Sequence, residues 1–271
     1  GVAQIVLLKP GTGYTTPPTV TLSGGGGSGA TAVAVKNWVT MTAPQADPTR
    51  DIHVTALLVD EHTLDEVQFD LTFSQQGRPF WVWGTGIKPG ETTQDFAKDN
   101  YYFSFTRLAA SGTITIAGTT HEVTGTTWMD HEYGYFGGSS ADARVRWLLQ
   151  DLQLDNGYSI SNAGILTVGY KPEIDVPVDA YATVQDAEGN LYYVASTITP
   201  VGELWTSPAT GNVYAQQFHV QIPSFQADLT VSVLVQNQEF PIAASPVYEG
   251  VAKPTGTMLG KPVTGDAWIE Q

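Results

Sequence analysis

The chain predicts an all-β protein of antiparallel strands, and three observations carry that prediction. Aromatic residues make up 11% of the sequence and charged residues only 14%, which leaves ample apolar surface for an ordered core. The 28 glycines and 16 prolines fall between short runs that alternate polar and apolar side chains, the period of a half-buried strand. Nowhere does a helical pattern alternate with a strand pattern, so a doubly wound α/β fold is set aside. At 271 residues there is length for one large β domain or two smaller ones.

Charge narrows the partners. The net charge is −15 and the pI about 4.5, whereas phosphate-rich nucleic acid and anionic membrane surfaces call for a Lys/Arg surplus. With no cysteine, disulfides, thiolate nucleophiles and Cys-ligated metals are excluded. That absence is compatible with a periplasmic or extracellular location without showing it. No apolar run approaches the ~18 residues of a spanning helix, so no transmembrane segment is expected. No signal peptide is read at the start.

Residues 1–36 have their own texture. Ile5–Leu8, Thr19–Leu22 and Ala30–Val35 read as short strands around a Gly24–Gly27 turn. The pattern resembles a glycine-rich β module of phage and bacterial surface proteins, and serves either as a cap or as replacement strands for a first barrel. No Gly-x-Gly-x-x-Gly opens a helix there, which sets nucleotide binding aside. Ile52–Val59 and Val67–Phe73 alternate as strands. Trp81 and Trp83 are expected to share a face, as a core stripe or one wall of an apolar pocket. Lys88–Asp99 is read as a short helix or lid. Thr113–Ile116 and His121–Thr124 form a hairpin, and Gly137–Ser140 a flexible rim.

Arg144–Leu154 is a long strand with Trp147, Asp151 and Gln153 on its odd face. Asp155-Asn156-Gly157 then closes a hairpin, because Asn-Gly tolerates the positive φ of a tight turn. The remainder yields about seven more short strands, as in an antiparallel barrel or sandwich. Ser207 lacks the flanking glycines of a nucleophile elbow. The five histidines are scattered, and no short-spaced pair asks for a metal.

The most chemically dense stretch is Gly125-Thr126-Thr127-Trp128-Met129-Asp130-His131-Glu132-Tyr133-Gly134. In an extended chain Trp128, Asp130 and Glu132 share one face, and Met129, His131 and Tyr133 the other. Two readings are open. The acids and the imidazole tune one another for acid–base chemistry, or Asp130 and Glu132 brace a strand corner.

This stretch resembles the signature of the hydroxyneurosporene synthase/AttH family, which includes carotenoid 1,2-hydratases and has fungal Diels–Alderases as more distant lipocalin-like relatives. Tyr101–Leu108 and Gly112–Ile116 upstream resemble the family in order, as do Gln153–Gly157, Leu204–Gly211, Gln238-Glu239 and Val247–Val251 downstream. The resemblance implies two tandem lipocalin-like antiparallel β-barrels, the first shortened or remodelled at its N-terminus. The expected divisions are a glycine-rich segment 1–36, a first barrel 37–125 and a second 126–271.

The implied activity is acid–base or pericyclic chemistry on a hydrophobic unsaturated small molecule in an apolar pocket at the barrel interface, hydratase-like. The alternatives are a Diels–Alderase-like cyclase and a non-catalytic lipocalin-like carrier or surface protein. By motif, His131 with Asp130 would relay the proton and Tyr133 would offer an aromatic face. Trp128, Glu132, Gln153, Trp147, Trp83 and Trp81 are expected to contact substrate, and no cofactor or metal is implied. Two departures stand out. The hydratases carry tryptophan at Tyr133, and their Tyr-x-Asp pair after the hairpin has no counterpart in Tyr158–Asn162.

Overall fold

A computed structural model of the chain describes residues 19, 37–43, 51–60, 63–91, 95, 97–135, 146–167, 169–240 and 246–271. The expected strands of 1–36 and the rim at 137–140 lie outside the described residues. The fold is all-β. The chain divides into two compact units, residues 1–74 with 109–126, and residues 75–108 with 127–271.

The first unit carries β1 (Trp38–Thr42), β2 (Ile52–Val59) and β3 (Glu66–Gln75), joined by the far end of β5 (Asn100–Ile116) and the start of β6 (Thr119–Gly134). Its strands are antiparallel, with Trp38 opposite Leu57 and Leu57 opposite Gln68. In β3 the alternation is clean: Val67, Phe69 and Leu71 are half-buried, while Glu66, Gln68 and Asp70 are exposed. The β5–β6 hairpin turns on Ala117 and Gly118, both at positive φ, which matches the right-handed twist of the flanking strands.

The second unit is built on a closed barrel. In chain order its strands are β4 (Phe80–Trp81), β7 (Arg146–Leu154), β8 (Ser159–Leu166), β9 (Val178–Gln185), β10 (Leu191–Thr206), β11 (Val213–Ile222), β12 (Ala227–Val233), β13 (Glu239–Phe240), β14 (Val247–Met258) and β15 (Lys261–Glu270). Strands β7 to β12 pair in sequence. Then β12 pairs β14, β14 pairs β15, and β15 pairs β7. That ring of eight antiparallel strands leaves β13 attached outside it, on β14. The interior is mostly apolar, with Leu148, Leu152, Ile160, Ala182, Ile198, Phe218, Leu229 and Ile269 all buried. Leu148, Leu152 and Leu154 belong to the barrel core, so the even residues of β7 point inward and its odd residues form the outer wall, where Leu149 and Asp151 are buried as well.

Two expectations are corrected here. Trp81 and Trp83 do not share a face, because the strand ends at Trp81 and Val82–Gly84 turns as a 3-10 helix with Trp83 at φ 60. Trp81 meets Phe103 and Trp83 meets Tyr102, neighbours of opposite orientation on β5. Nor do the described residues between Lys88 and Asp99 form a helix. Asp95 caps a local turn instead, accepting from the Ala97 amide at 2.9 Å, after Pro89-Gly90 has broken the run. Among the described residues no helix is long and apolar enough to cross a membrane.

Candidate active site

Strand β6 delivers the signature with the alternation its sequence demands. On the odd side, the His131 ring stacks on Phe103 with centroids 5.2 Å apart, and Tyr133 stacks on Tyr101 at 5.4 Å. His131 and Tyr133 are themselves neighbours at 5.1 Å. Trp81, 46% exposed, joins this aromatic surface through Phe103. His131 is exposed, so its ring is not walled into the core.

The even side is acidic and packs on the outer wall of the barrel. Asp130 Oδ1 accepts the Trp128 indole N–H at 2.8 Å and the Ser104 hydroxyl. Asp151, on β7, lies beside Asp130 and stands opposite Ser161, its register partner on β8. It is only 3% exposed, and its Oδ1 has no protein partner. Around this pair, Trp147 donates its indole N–H to Glu270 at 3.0 Å, and Trp268 donates to Glu249 at 2.6 Å. Glu249 and Glu270 face each other across β14 and β15, and Trp268 stands opposite Asp151. Gln153 ties the wall to β5 through a 2.7 Å bond to the Thr106 carbonyl.

Such crowding of carboxyl groups holds protons. Burial, and then the neighbouring Asp130 charge, push the Asp151 carboxyl well above the usual range. Glu270 is pushed up to about 7, by burial first and by Glu249 next, against the opposing Trp147 hydrogen bond. Burial also raises Glu249 and Glu132, the latter opposed by a hydrogen bond from Asn100 and the charge of Lys88. The Tyr102 hydroxyl is desolvated among Asp151, Asp130, Glu270 and Glu132, so it stays protonated and available as a donor. Among the described residues no group of three His, Cys, Asp or Glu side chains is disposed to hold a metal ion.

The structure thus gathers Trp128, Asp130, Glu132, Trp147 and Gln153 around one side of β6 and sets His131, Tyr133 and Trp81 on the other. Trp83 stands beside Tyr102, its backbone N–H bonded to Thr183 at 2.9 Å. Sequence reasoning missed Tyr102, Asp151, Glu249 and Glu270. Asp151 had a signal, the one acid in an odd row that is otherwise apolar up to Gln153. Glu249 sits in the Val247–Val251 motif, but neither its spacing nor that of Glu270 points to the site, because both reach it only through the closure of the barrel.

The carboxylate that the hydratases carry after the hairpin is absent from β8. In this chain Asp151, directly opposite Ser161, brings a carboxyl to the adjoining position on β7.

A family model described as AttH-like matches residues 20–270. No curated protein matches the sequence. Among solved structures, an AttH protein of Nitrosomonas europaea superposes with a TM-score of 0.61 at 22% identity, covering 81% of this chain and 65% of its own. Kievitone hydratase from Nectria haematococca gives a TM-score of 0.63 at 19% identity, covering 88% of this chain and 69% of its own. The chain therefore spans about two thirds of the length of these structures, and at such identities the likeness is one of fold.

Proposed function

The chain belongs to the AttH-like family, and from that premise we propose that it is a hydratase-like enzyme adding water to a carbon–carbon double bond of a hydrophobic small molecule. The observation that carries this reading is the carboxyl pair. Asp151 is buried beside the Asp130 carboxylate, and one of its oxygens has no protein partner. Two carboxyl groups side by side resist ionising together, and burial makes Asp151 the one that keeps its proton more readily.

The chemistry balances without a cofactor. The acid gives its proton to one alkene carbon, and the neighbouring carbon becomes a cation. Water then bonds to that carbon, and the proton it releases restores the pair. Tyr102 and Trp128 offer aromatic faces to the cation. Trp128 and Ser104 hold Asp130 in place. Glu132, Trp147 and Gln153 shape the surround, while His131, Tyr133 and Trp81 present a second aromatic surface on the opposite side of the strand.

Kievitone and acyclic terpenoid alkenes, incubated with the chain in 18O-labelled water, provide the assay. One labelled oxygen per product is expected, and Asp151→Asn or Asp130→Asn lowers the rate by about 10²-fold or more. His131→Ala reports separately on the opposite face. Full activity of Asp151→Asn sinks the mechanism. Turnover without labelled oxygen and independent of pH points to the cyclase alternative, since acid catalysis titrates. A co-purified lipid that is never turned over points to the carrier.

A further inference from the structure

The first unit holds a cavity of about 340 Å³ on one face of its sheet, among residues the acidic site does not use. That volume lies at the lower end of small-molecule sites, about 300–1,000 Å³. Its lining comes from four strands. Trp38 supplies an indole from β1, Thr55 a hydroxyl from β2, Gln68 and Asp70 an amide and a carboxylate from β3, and Thr113 and Thr115 two hydroxyls from β5. Register aligns them, since Trp38 is level with Leu57 and Leu57 with Gln68, while Thr55 is level with Asp70. The His53 ring holds Asp70 at 2.6 Å, fixing the carboxylate on the sheet. Trp38 is 39% exposed, so its ring is available to a ligand.

We propose that this cavity binds a neutral carbohydrate. A sugar ring has a C–H face that lies flat on an indole, and a rim of hydroxyls that both donate and accept. The lining matches both: one tryptophan, then hydroxyls and an amide able to play either role, and one oriented carboxylate acceptor. A purely apolar ligand would use none of the hydrogen-bonding capacity left on this polar lining, where Gln68 already donates to Glu66, Thr115 pairs with Thr120 and Asp70 is held by His53. An anionic glycan is opposed by Asp70 and by the net charge of −15.

Isothermal titration of the whole chain with cellohexaose, maltohexaose, xylohexaose and chitohexaose, and with polygalacturonate as the anionic comparison, tests the proposal. Saturable binding of at least one neutral glycan is expected. Trp38→Ala, and separately Gln68→Ala, weaken it at least tenfold with unchanged thermal unfolding, while Asp151→Asn leaves it intact. The proposal is overturned if none of the neutral glycans binds, if Trp38→Ala binds as tightly as the parent, or if only polygalacturonate is held.

Discussion

Gln150 lies fully buried on the inward face of β7, and neither its amide nitrogen nor its oxygen has a partner. A buried amide in that state costs about 1–3 kcal/mol. Gln150→Leu, which fills similar space with apolar atoms, is expected to raise stability by about that amount in chemical denaturation, with activity retained because the barrel wall separates it from Asp151. One position on, the same strand turns to chemistry, and the two residues show what a sequence can and cannot give. Period two predicts that Asp130 and His131 face apart, and they do. It also places Asp151 in the odd row of β7, which the closed barrel turns outward. That Asp151 meets Asp130 depends on one strand pair packing across another, and no local pattern encodes such a meeting.

Strand β6 must end where its acids are correctly aimed, and Gly134 ends it. The residue sits at φ +106, and a Cβ there would come within 2.3 Å of the Asp99 carbonyl, which accepts the Tyr135 amide at 2.9 Å. Gly134→Ala is therefore expected to cost about 1–3 kcal/mol through backbone strain and to push the strand end away from Asn100, the partner of Glu132. Thermal unfolding and near-ultraviolet circular dichroism check this; an unaltered melting temperature would remove the argument. Most elements were legible. The β2 and β3 alternation, the β5–β6 hairpin and the turn at Asp155–Gly157 follow from side-chain period and turn chemistry. Trp83 was not, because a tryptophan at φ 60 runs against its own preference and is held by tertiary contacts. Lys88–Asp99 misled because it lies between clear strands and carries charged residues, yet Asp95 satisfies its own backbone better than a helix would.

The acidic cluster makes the stability of the whole molecule depend on pH in an unusual direction. Glu270 holds its proton up to about 7 when folded, against 4.5 for the free side chain. Its contribution is fully present below about 4.5 and is lost as pH rises through 7, because the native state binds the proton more tightly than the unfolded chain. Asp151 acts in the same direction. Melting temperature is expected to fall from pH 5 to pH 8, with at most about 3 kcal/mol from Glu270, and Glu270→Gln should flatten that slope. A profile that rises with pH, or a slope unchanged in the variant, would count against the cluster as described. At this scale the composition and turn spacing were enough for an all-β fold, and several ordered motifs for the family. The closure of β12 on β14, which brings Glu249 and Glu270 to the site, was beyond any reading of spacing. The path of the chain between its two compact units has a practical side. Residues 75–108 are threaded into the second unit before 109–126 return to the first, so no single scissile bond releases either unit whole. A gene fragment beginning at Thr127 would lack Tyr102, Ser104 and Thr106, stripping the barrel of its cover over Asp151 and Gln153. Truncation libraries should accordingly yield insoluble pieces where a beads-on-a-string protein would yield a free-standing barrel.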